Sequence, residues 1–319
     1  MLLALLAIAV VLAWLFNVSR PGRRIEGCAH GCVTATVQDD AQLRVMSLNV
    51  LHGFPRFEQL QLRLDRIADE IRRQEIDLAC LQEVPWTPRL GNAAEYLARE
   101  TGLNHLYLRA NGNRRTILFE EGAAILSRYP LRDVTFRELE PRAAFFEHRV
   151  VLRATALTPQ GEVTLYVTHL THGDPAVNQA QFASLKAYVD QTSTETSIVA
   201  GDLNATEDIL RDAAIGWTDT YRAARPDERG DTCCIEDLMR SDRTLTKRID
   251  YLYLASSAEE VHIVDSRLVL DQPVRSGESW LWASDHVGVL TTLYRPFASA
   301  PPSTARIAPV TNAASSDAR

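Results

Sequence analysis

The sequence predicts an α/β protein in which two β-sheets pack face to face and helices cover their outer faces. Strand-like segments dominate the chain, neighbouring ones often read as antiparallel pairs, and amphipathic helices are few. A doubly wound parallel sheet would instead alternate strand with helix along the whole chain. We therefore expect paired sheets with outer helices.

The first predicted elements are two strands with a helix between them. Residues 43–50 (LRVMSLNV) alternate in polarity and are rich in β-formers, which predicts a strand. Residues 76–84 (IDLACLQEV) predict a buried strand that Pro85 should end. The intervening helix is predicted because apolar residues recur at three- and four-residue spacing, at Leu60, Leu64, Ile67 and Ile71.

The next segments predict a helix and another strand. Residues 92–102 (NAAEYLARETG) are typical of a helix that ends at Gly102, near its C-cap. Residues 122–130 (GAAILSRYP) predict a strand ended by Pro130.

The second half of the chain is predicted to contain a hairpin, a helix and four further strands. Residues 149–157 and 162–170 form a hairpin across the turn TPQG. A helix over 175–190 opens at Pro175, where proline is favoured. The remaining strands are predicted over 197–202, 249–255, 261–270 and 286–294.

The two ends of the chain differ in composition from the middle. Residues 1–17 begin with MLLALLAIAVVLAWLF, an uncharged apolar stretch that predicts a transmembrane anchor, with a cleaved signal second and a buried helix third. Residues 18–40 are interpreted as a linker, and 298–319, rich in Ala, Ser, Pro and Thr, as a disordered tail. The folded domain is therefore predicted over 41–297.

Two signals on membrane orientation conflict. Arg20, Arg23 and Arg24 follow the apolar stretch, and the positive-inside rule would then keep the domain in the cytoplasm. The cysteine pattern instead suits an oxidising compartment. We expect a membrane-associated protein and favour the extracytoplasmic side.

The cysteines fall into two close pairs and one isolated residue. Cys28 and Cys32 flank a short loop, and Cys233 and Cys234 are adjacent, as a vicinal disulfide or as two free thiols. A zinc site that combines the first pair with His30 is the weaker alternative, because no fourth ligand has matching spacing. Cys80 lies in an apolar run and is interpreted as a core residue.

The charge balance bears on nucleic-acid binding. The formal net charge of the 319 residues is −7. A protein that neutralises many phosphates usually shows a basic face, so a general affinity for nucleic acid is not indicated. A local basic groove would still be compatible with this composition.

Polar or ionisable side chains recur where the predicted strands begin or end. Each would cost free energy if it were buried without a partner, so any one of them is first read as a structural turn residue. Their number is harder to explain as a set of independent turns. The group comprises Asn49, Glu83, His169, Asp202, Asn204, Asp250, Asp285 and His286.

This inventory fits phosphoester hydrolysis. Asn49 and Glu83 offer an amide oxygen and a carboxylate to Mg²⁺, with Mn²⁺ as the alternative ion. His169 and Asn204 could bind the charge that develops on the phosphoryl oxygens. An Asp285–His286 pair, in which the aspartate orients the imidazole, would supply a base for the attacking water, and Asp202 could position that water.

The ordered series LNV, LQEV, EGAAILSRYP, VTHL, GDLNA, RIDYLYL and SDHVGV resembles the endonuclease/exonuclease/phosphatase superfamily. The resemblance spans about residues 43–294. It implies the deoxyribonuclease I-like fold, a four-layer α/β sandwich of two packed mixed β-sheets flanked by helices. The complete set is specific, whereas LNV or THL alone would be weak.

The resemblance also implies a role for each motif residue. Glu83 in LQEV matches the principal metal-binding glutamate, and Asn49 in LNV matches the asparagine beside it. His169 in VTHL matches the histidine that contacts the scissile phosphate. The pair in GDLNA that orients water and stabilises the transition state is matched by Asp202 and Asn204.

Two further motifs complete these implied roles. Asp250 in RIDY resembles the aspartate that supports a catalytic histidine. In SDH, Asp285 matches the terminal metal-linked or orienting aspartate, and His286 matches the general base.

Two departures argue against an abasic-site repair enzyme. Such members of the superfamily tend to carry tyrosine where VTHL places His169, and an acidic residue where this chain has Leu51. The branch of the superfamily that has histidine at the position of His169 includes secreted nucleases, sphingomyelinases and inositol phosphate phosphatases.

Three further residues are predicted to bind substrate. His172 could touch phosphate, although a loop histidine bonded to the backbone is the alternative. Arg149 could reach the site or could pair with Glu147 on the surface. Arg115 suits a phosphate-facing loop, and a solvated turn is its alternative reading.

The predicted function is metal-dependent hydrolysis of phosphate esters, on a lipid or small-molecule phosphate, by a monomer. A Mg²⁺-dependent endonuclease or exonuclease is the alternative, and it would need a basic groove beside His169 and His286. A non-catalytic binding protein on the same fold ranks third.

Overall fold

The protein is described here from a computed structural model, which covers residues 11, 14, 15, 17–28, 42–242, 244–259 and 261–294. Two β-sheets pack against each other, with helices on both outer faces. This confirms the predicted four-layer α/β sandwich. The helices are α1 (Leu60–Arg73), α2 (Ala93–Thr101), α3 (Pro175–Thr192), α4 (Glu207–Ala213) and α5 (Thr220–Ala224).

The strands form one large sheet, a second sheet and a small hairpin. The first sheet has the order β1-β5-β6-β3-β2-β16-β13, with β4 paired to β3, and the second has the order β11-β12-β10-β9-β8-β7. The strands are β1 (Glu26–Gly27), β2 (Gln42–Asn49), β3 (Leu78–Thr87), β4 (Gly91–Asn92), β5 (Asn104–Asn113), β6 (Phe119–Ser127), β7 (Leu131–Glu138), β8 (Val150–Thr158), β9 (Gly161–His169), β10 (Ser197–Asp202), β11 (Thr218–Asp219), β12 (Asp250–Ser256), β13 (His262–Val269), β14 (Val274–Ser276), β15 (Ser279–Leu281) and β16 (Gly288–Tyr294).

Three apolar layers hold the sandwich together. The central layer lies between the sheets, where residues such as Leu78 and Leu165 are fully buried. A second layer packs α1 and α2 against the large sheet, and a third packs α3 against the other sheet. Burial of these faces is the main stabilising contribution to such a fold.

Both sheets present their polar strand ends at the same edge. β2 and β3 are parallel neighbours in one sheet, and β9 and β10 are parallel neighbours in the other. The antiparallel partners β16 and β12 begin at this edge. Carboxyl ends of parallel strands and amino ends of their antiparallel partners therefore converge there.

The predicted end of strand β3 is wrong. The strand continues through Pro85 to Thr87, and its pairing with β6 shifts between Leu81 and Val84. Glu83 lies in this bulge with φ 54°. A bulge accommodates proline and turns a side chain away from the regular pleat, so Glu83 is aimed by a distortion within the strand.

Strands β5 and β7 were not predicted. β5 ends in residues that are typical of turns, ANGN. β7 is an edge strand with mostly exposed side chains, so it lacks the alternation that marks a half-buried strand.

The predicted anchor, most of the linker and the predicted tail lie largely outside the described residues. Among the residues that are described, no helix is both long and apolar enough to cross a membrane. Residues 17–28 pack along the domain, and β1 pairs with β5. Cys28 is disulfide-bonded, which removes it as a zinc thiolate, whereas His30 and Cys32 are outside the described residues.

Candidate active site

The polar strand ends line a single cavity of about 830 Å³ at the shared edge of the two sheets. The cavity wall includes Glu83, His169, Asp202, Asn204, Asp285 and His286. Asn49 and Asp250 lie buried directly behind them. The structure thus brings all eight of these predicted residues together, from both sheets.

Asp202 is central to this group. It ends β10 in register with His169 on one side and Asp250 on the other. Its Oδ2 lies 3.5 Å from His169 Nε2 and 3.7 Å from His286 Nε2. Burial raises the pKa of the Asp202 carboxyl, and the charge of Asp250 raises it further, to about 7.

Gly201 lets strand β10 approach β9 closely. A Cβ at this position would lie 2.2 Å from the carbonyl oxygen of Thr168. Any larger residue would push the strands apart just before Asp202 and His169. The glycine in SIVAGD is therefore required by the pairing that places both side chains.

His286 is held by Asp250. The Nδ1 of His286 lies 2.8 Å from Oδ2 of Asp250, and both side chains are buried. Although burial opposes a charge here, the carboxylates of Asp250 and Asp202 raise the pKa of His286 well above its ordinary value. This pair leaves Nε2 of His286 facing the cavity.

The expectation that Asp285 orients His286 is wrong. The Asp285 carboxylate accepts a hydrogen bond from Ser284 Oγ at 3.2 Å, and Ser284 Oγ also lies 2.7 Å from the carbonyl oxygen of Asn49. Asp285 faces the Glu83 side of the cavity instead. Burial raises the pKa of Asp285, and the Glu83 charge contributes to the same shift.

Asn49 and Glu83 interact directly. The Nδ2 of Asn49 donates to Glu83 Oε1 and to Asp202 Oδ2, both at 3.1 Å. Burial opposes ionisation of Glu83, but the charge of His52 and the Asn49 hydrogen bond outweigh it and lower the pKa. Glu83 is therefore an ionised carboxylate beside a second half-buried acid, Asp285.

These donors fit a hard divalent cation. Glu83 and Asp285 are neighbouring carboxylates that disfavour each other's charge, and a cation between such groups relieves that repulsion. The Asn49 NH2 group orients Glu83, and its amide oxygen, a type of donor that Mg²⁺ prefers, accepts from Leu51 N at 3.0 Å. A separate group of Asp202, Asp250 and His286 also has ligand atoms within 4.8 Å of one another.

Asn204 and His169 form the other side of the site. Asn204 has φ 48°, a left-handed conformation that asparagine tolerates better than most residues. Its Nδ2 lies 3.0 Å from Leu170 O, which fixes the amide, and 3.0 Å from His169 Nε2. Burial, with the nearby charge of Arg149, lowers the pKa of His169 well below its ordinary value.

The three predicted substrate-binding residues have different positions. Arg149 is buried, lines the cavity and pairs with Glu147 at 2.6 Å, while His172 is exposed at the cavity wall. Arg115 does not line the cavity, so its predicted role is not supported by the geometry. Its backbone N–H bonds Asn113 Oδ1 within an exposed turn, which matches the alternative reading.

The sequence did not reveal Arg63, which fixes the loops on either side of the site. Its guanidinium, buried in α1, donates to Val50 O at 2.8 Å, Leu51 O at 2.9 Å and Ala283 O at 3.3 Å. Burial lowers the pKa of Arg63 to about 10, against the opposite effect of Asp285 and Glu83. The signal was present, since Arg63 falls on the apolar face of a predicted helix.

Other cavity residues were also missed. Glu121 and Asn111 are hydrogen-bonded to each other, and burial raises the pKa of Glu121. Phe54 and Phe119 stack with ring centroids 4.4 Å apart. Asn111 lies at the unpredicted end of β5 and Phe54 in a loop, whereas Phe119 and Glu121 lie at the start of β6, just before the strand predicted from residue 122. Further lining residues include His52, Phe146, Glu147, Cys233, Cys234 and Lys247.

Cys233 and Cys234 form a vicinal disulfide at the cavity wall. The adjoining residue Thr232 joins the two elements that carry the His286–Asp250 pair. Its Oγ1 accepts from the backbone N–H groups of Ile249 and Asp250, each at 3.2 Å, and its carbonyl accepts from Val287 N at 2.9 Å.

Comparison with known proteins agrees with this geometry. The model of the Endonuclease/Exonuclease/phosphatase family matches residues 46–286. Among curated proteins, no relative matches the chain.

Solved structures share the fold at low sequence identity. An endonuclease/exonuclease/phosphatase from Beutenbergia cavernae is 21% identical, with 80% of this chain and 72% of that one covered and a TM-score of 0.60. Truncated Caenorhabditis elegans TDP2 is 20% identical, with 79% and 97% covered and a TM-score of 0.61. A family protein from Bacteroides thetaiotaomicron is 14% identical, with 84% and 100% covered and a TM-score of 0.63.

Proposed function

The chain belongs to the Endonuclease/Exonuclease/phosphatase family, and we propose that it hydrolyses phosphate esters with a divalent metal ion. The observation that carries this proposal is the buried His286–Asp250 pair, which opens onto the same cavity as Glu83, Asp285 and Asp202. The cavity is then surrounded by a base, by carboxylates that would bind a cation and by hydrogen-bond donors for the phosphate.

The base in this proposal is His286. Asp250 accepts the Nδ1–H hydrogen bond, so the neutral form of the ring presents Nε2 to accept a proton from water as its oxygen attacks phosphorus. Asp202 faces Nε2 and stabilises the imidazolium that results. The leaving oxygen departs with the bonding electrons of its P–O bond and takes up a proton from solvent.

Asn204 and His169 would bind the phosphoryl oxygens. The Asn204 amide is fixed by Leu170 O, and its second hydrogen is directed at the His169 ring. A phosphoryl oxygen can accept that hydrogen in place of the ring nitrogen. Arg149 adds a buried positive charge on the same wall.

Glu83, Asp285 and Asn49 would hold the cation. A bound Mg²⁺ or Mn²⁺ supplies charge stabilisation for the phosphoryl group and for the leaving oxygen. The structural support for this assignment is the chemistry of the donors, two half-buried carboxylates and an amide that the same strand edge brings together.

A nuclease remains the alternative substrate assignment, but the charge of the cavity does not favour it. The wall carries the carboxylates of Glu83, Glu121, Glu147, Asp202 and Asp285, against the permanent cations of Arg149 and Lys247. A groove that tracks a nucleic-acid backbone is normally lined by cations. A small or lipid phosphate ester fits this wall better.

Hydrolysis of bis(p-nitrophenyl) phosphate tests the reaction class. We expect turnover with Mg²⁺ that EDTA abolishes, and a fall in kcat of about 10²–10⁴-fold in His286→Ala, typical of a lost general base. Asp202→Ala should show a comparable loss. The matched control is His262→Ala, an exposed histidine of β13, which should behave as the wild type.

Turnover that persists in EDTA, or in both site variants with an unchanged circular dichroism spectrum, would contradict the assignment. The same assay extended to sphingomyelin, phosphoinositides, nucleotides, RNA and DNA then identifies the substrate class.

A further inference from the structure

Large apolar side chains are exposed around the mouth of the cavity. Phe54 and Phe146, each 44% exposed, line it, while Leu118 at 60% and Phe145 at 61% lie just outside. We call these four residues the apolar rim. Exposed apolar groups that border a polar site mark a surface that binds an apolar partner.

The rim is built from two connected patches. On one side Phe54 stacks on Phe119, the neighbour of Leu118. On the other, the rings of Phe145 and Phe146 are in edge contact with centroids 4.8 Å apart. Leu118 has φ 57°, a conformation unfavourable for a branched residue, yet its side chain points to solvent.

The N-terminal segment reaches the domain at this rim. Ser19 Oγ donates to Phe146 O at 2.7 Å and accepts from Gly112 N at 2.9 Å. The carbonyl oxygen of Asn17 accepts from Asn113 Nδ2 at 2.8 Å and from Thr116 Oγ1 at 3.3 Å. Asn17 and Ser19 therefore contact the domain beside Phe146 in one patch and two residues from Leu118 in the other.

The sequence before Asn17 is the uncharged apolar stretch MLLALLAIAVVLAWLF. Within it, Trp14 and Leu15 are 48% and 39% exposed. Arg20, Arg23 and Arg24 are exposed just after it. An apolar stretch, a tryptophan at its end and cations beyond it are the arrangement expected at the boundary between a bilayer and its anionic headgroups.

We propose that the apolar rim and the N-terminal stretch enter the same lipid bilayer, so that the cavity opens onto the membrane surface. This proposal rests on the proposed function, and it specifies the substrate as a phosphoester whose apolar part stays in the bilayer. The short connection at Asn17 and Ser19 holds the mouth of the cavity against the membrane that contains the stretch.

The depth of the rim in the membrane tests the proposal. The full chain is bound to vesicles of phosphatidylcholine and phosphatidylglycerol and spin-labelled at Leu118→Cys or Phe145→Cys, with Ile215→Cys and Val264→Cys as controls. The controls are also exposed apolar positions, at 69% and 54%, and lie toward the opposite ends of the sheets. Cys80 is buried and the other described cysteines are disulfide-bonded.

We expect the two rim labels to collide with oxygen in the lipid phase and the two controls with an aqueous nickel reagent. Equal aqueous exposure at all four positions in vesicle-bound chain, or failure of the chain to float with vesicles, would overturn the proposal.

A kinetic comparison separates this proposal from the proposed function. Leu118→Asn/Phe145→Ser should keep the wild-type rate on soluble bis(p-nitrophenyl) phosphate and lose about tenfold on sphingomyelin or phosphoinositide in vesicles, since both residues lie outside the cavity wall. Ile215→Ser/Val264→Ser should keep both rates.

If the rim and control variants lose the same fraction of the hydrolysis rate on vesicle substrate, the proposed membrane contact of the apolar rim is contradicted. Absence of any phosphoesterase activity in the wild type would instead contradict the proposed function, while the label depths would still report on membrane contact.

Discussion

At the scale of single residues, the segment from Gly201 to Asn204 does most to shape the site. Gly201 permits the close strand pairing, Asp202 faces both histidines, and Asn204 adopts a left-handed backbone that directs its amide inward. Asx-rich turns commonly satisfy their own backbone, and here one such bond exists, from Asn204 N to Asp202 Oδ1 at 2.9 Å. The turn and the site are therefore the same structure.

Asn204→Gly should separate these two roles. Glycine adopts positive φ without strain, so the turn is kept while the amide donor is removed. We expect kcat on bis(p-nitrophenyl) phosphate to fall by about 10²–10³-fold, the usual cost of one lost oxyanion donor. Urea unfolding should show little change in stability. Wild-type kcat in this variant would show that the amide does not contact the phosphate.

At the scale of elements, two irregular segments aim the side chains that regular strands could not. The bulge in β3 turns Glu83 into the cavity, and the loop containing Thr232 connects β12 to the start of β16. Arg63 has a comparable effect from helix α1, since it binds the carbonyls that flank Asn49 and Asp285. Thr232 and Arg63 fix the backbone next to site residues, and neither lines the cavity.

Thr232→Val should weaken catalysis through position alone. The variant loses the acceptor for the N–H groups of Ile249 and Asp250, which holds Asp250 against His286. We expect kcat to fall about tenfold or more with KM unchanged, because misplacement of a catalytic group by a fraction of an ångström is costly. Thr232→Ser keeps the hydroxyl and should restore kcat. A parallel rise in KM, or no rescue by serine, would contradict a positioning role.

At the scale of the whole molecule, a group of ion pairs joins the edge of the large sheet to the N-terminal segment, away from the cavity. Glu120 on β6 is buried and bonds Arg109 Nη1 at 2.8 Å and Arg114 Nη2 at 2.7 Å. Arg114 also bonds Glu26 on β1, so the pair links the edge of the large sheet to the N-terminal segment. Burial opposes ionisation of Glu120, but the hydrogen bonds from Arg114 and the charge of Arg109 lower its pKa.

Glu120→Gln should reduce the free energy of unfolding by about 1.5–3 kcal/mol at pH 7, since it removes the charge of a buried carboxylate that two half-buried arginines bond. The wild-type group has a folded pKa below its unfolded value, so its contribution is full above the ordinary glutamate pKa and is lost as pH falls through the folded value. Urea unfolding of both proteins from pH 7 downward should therefore show the difference shrinking in acid.

The control for this measurement is Glu162→Gln. Glu162 pairs with Arg132 where both side chains are about half exposed, so its loss should cost no more than about 1 kcal/mol. If the difference in free energy of unfolding between the wild type and Glu120→Gln stays constant or grows in acid, the lowered pKa assigned to Glu120 is contradicted.

The fold and most of the site could be predicted from the sequence because their signals are local. Alternation in 43–50, helical spacing in 60–71 and the motifs around His169 and Asp202 each lie within a few residues. The exposed edge strand β7 and the turn-like end of β5 have no such local signal, and their existence depends on pairing with β8 and β6. Predictions failed where a distant partner decides the conformation.

The sequence by itself determined which groups stand at the strand ends, and hence the family and the class of chemistry. Packing of the two sheets settled which of the two candidate aspartates, Asp250 or Asp285, holds His286, and it showed that Arg63 fixes the surrounding loops and that Arg115 lies outside the cavity wall. The sequence gives each side chain directly. A hydrogen bond between residues far apart in the chain forms only after the strands have paired and the sheets have packed.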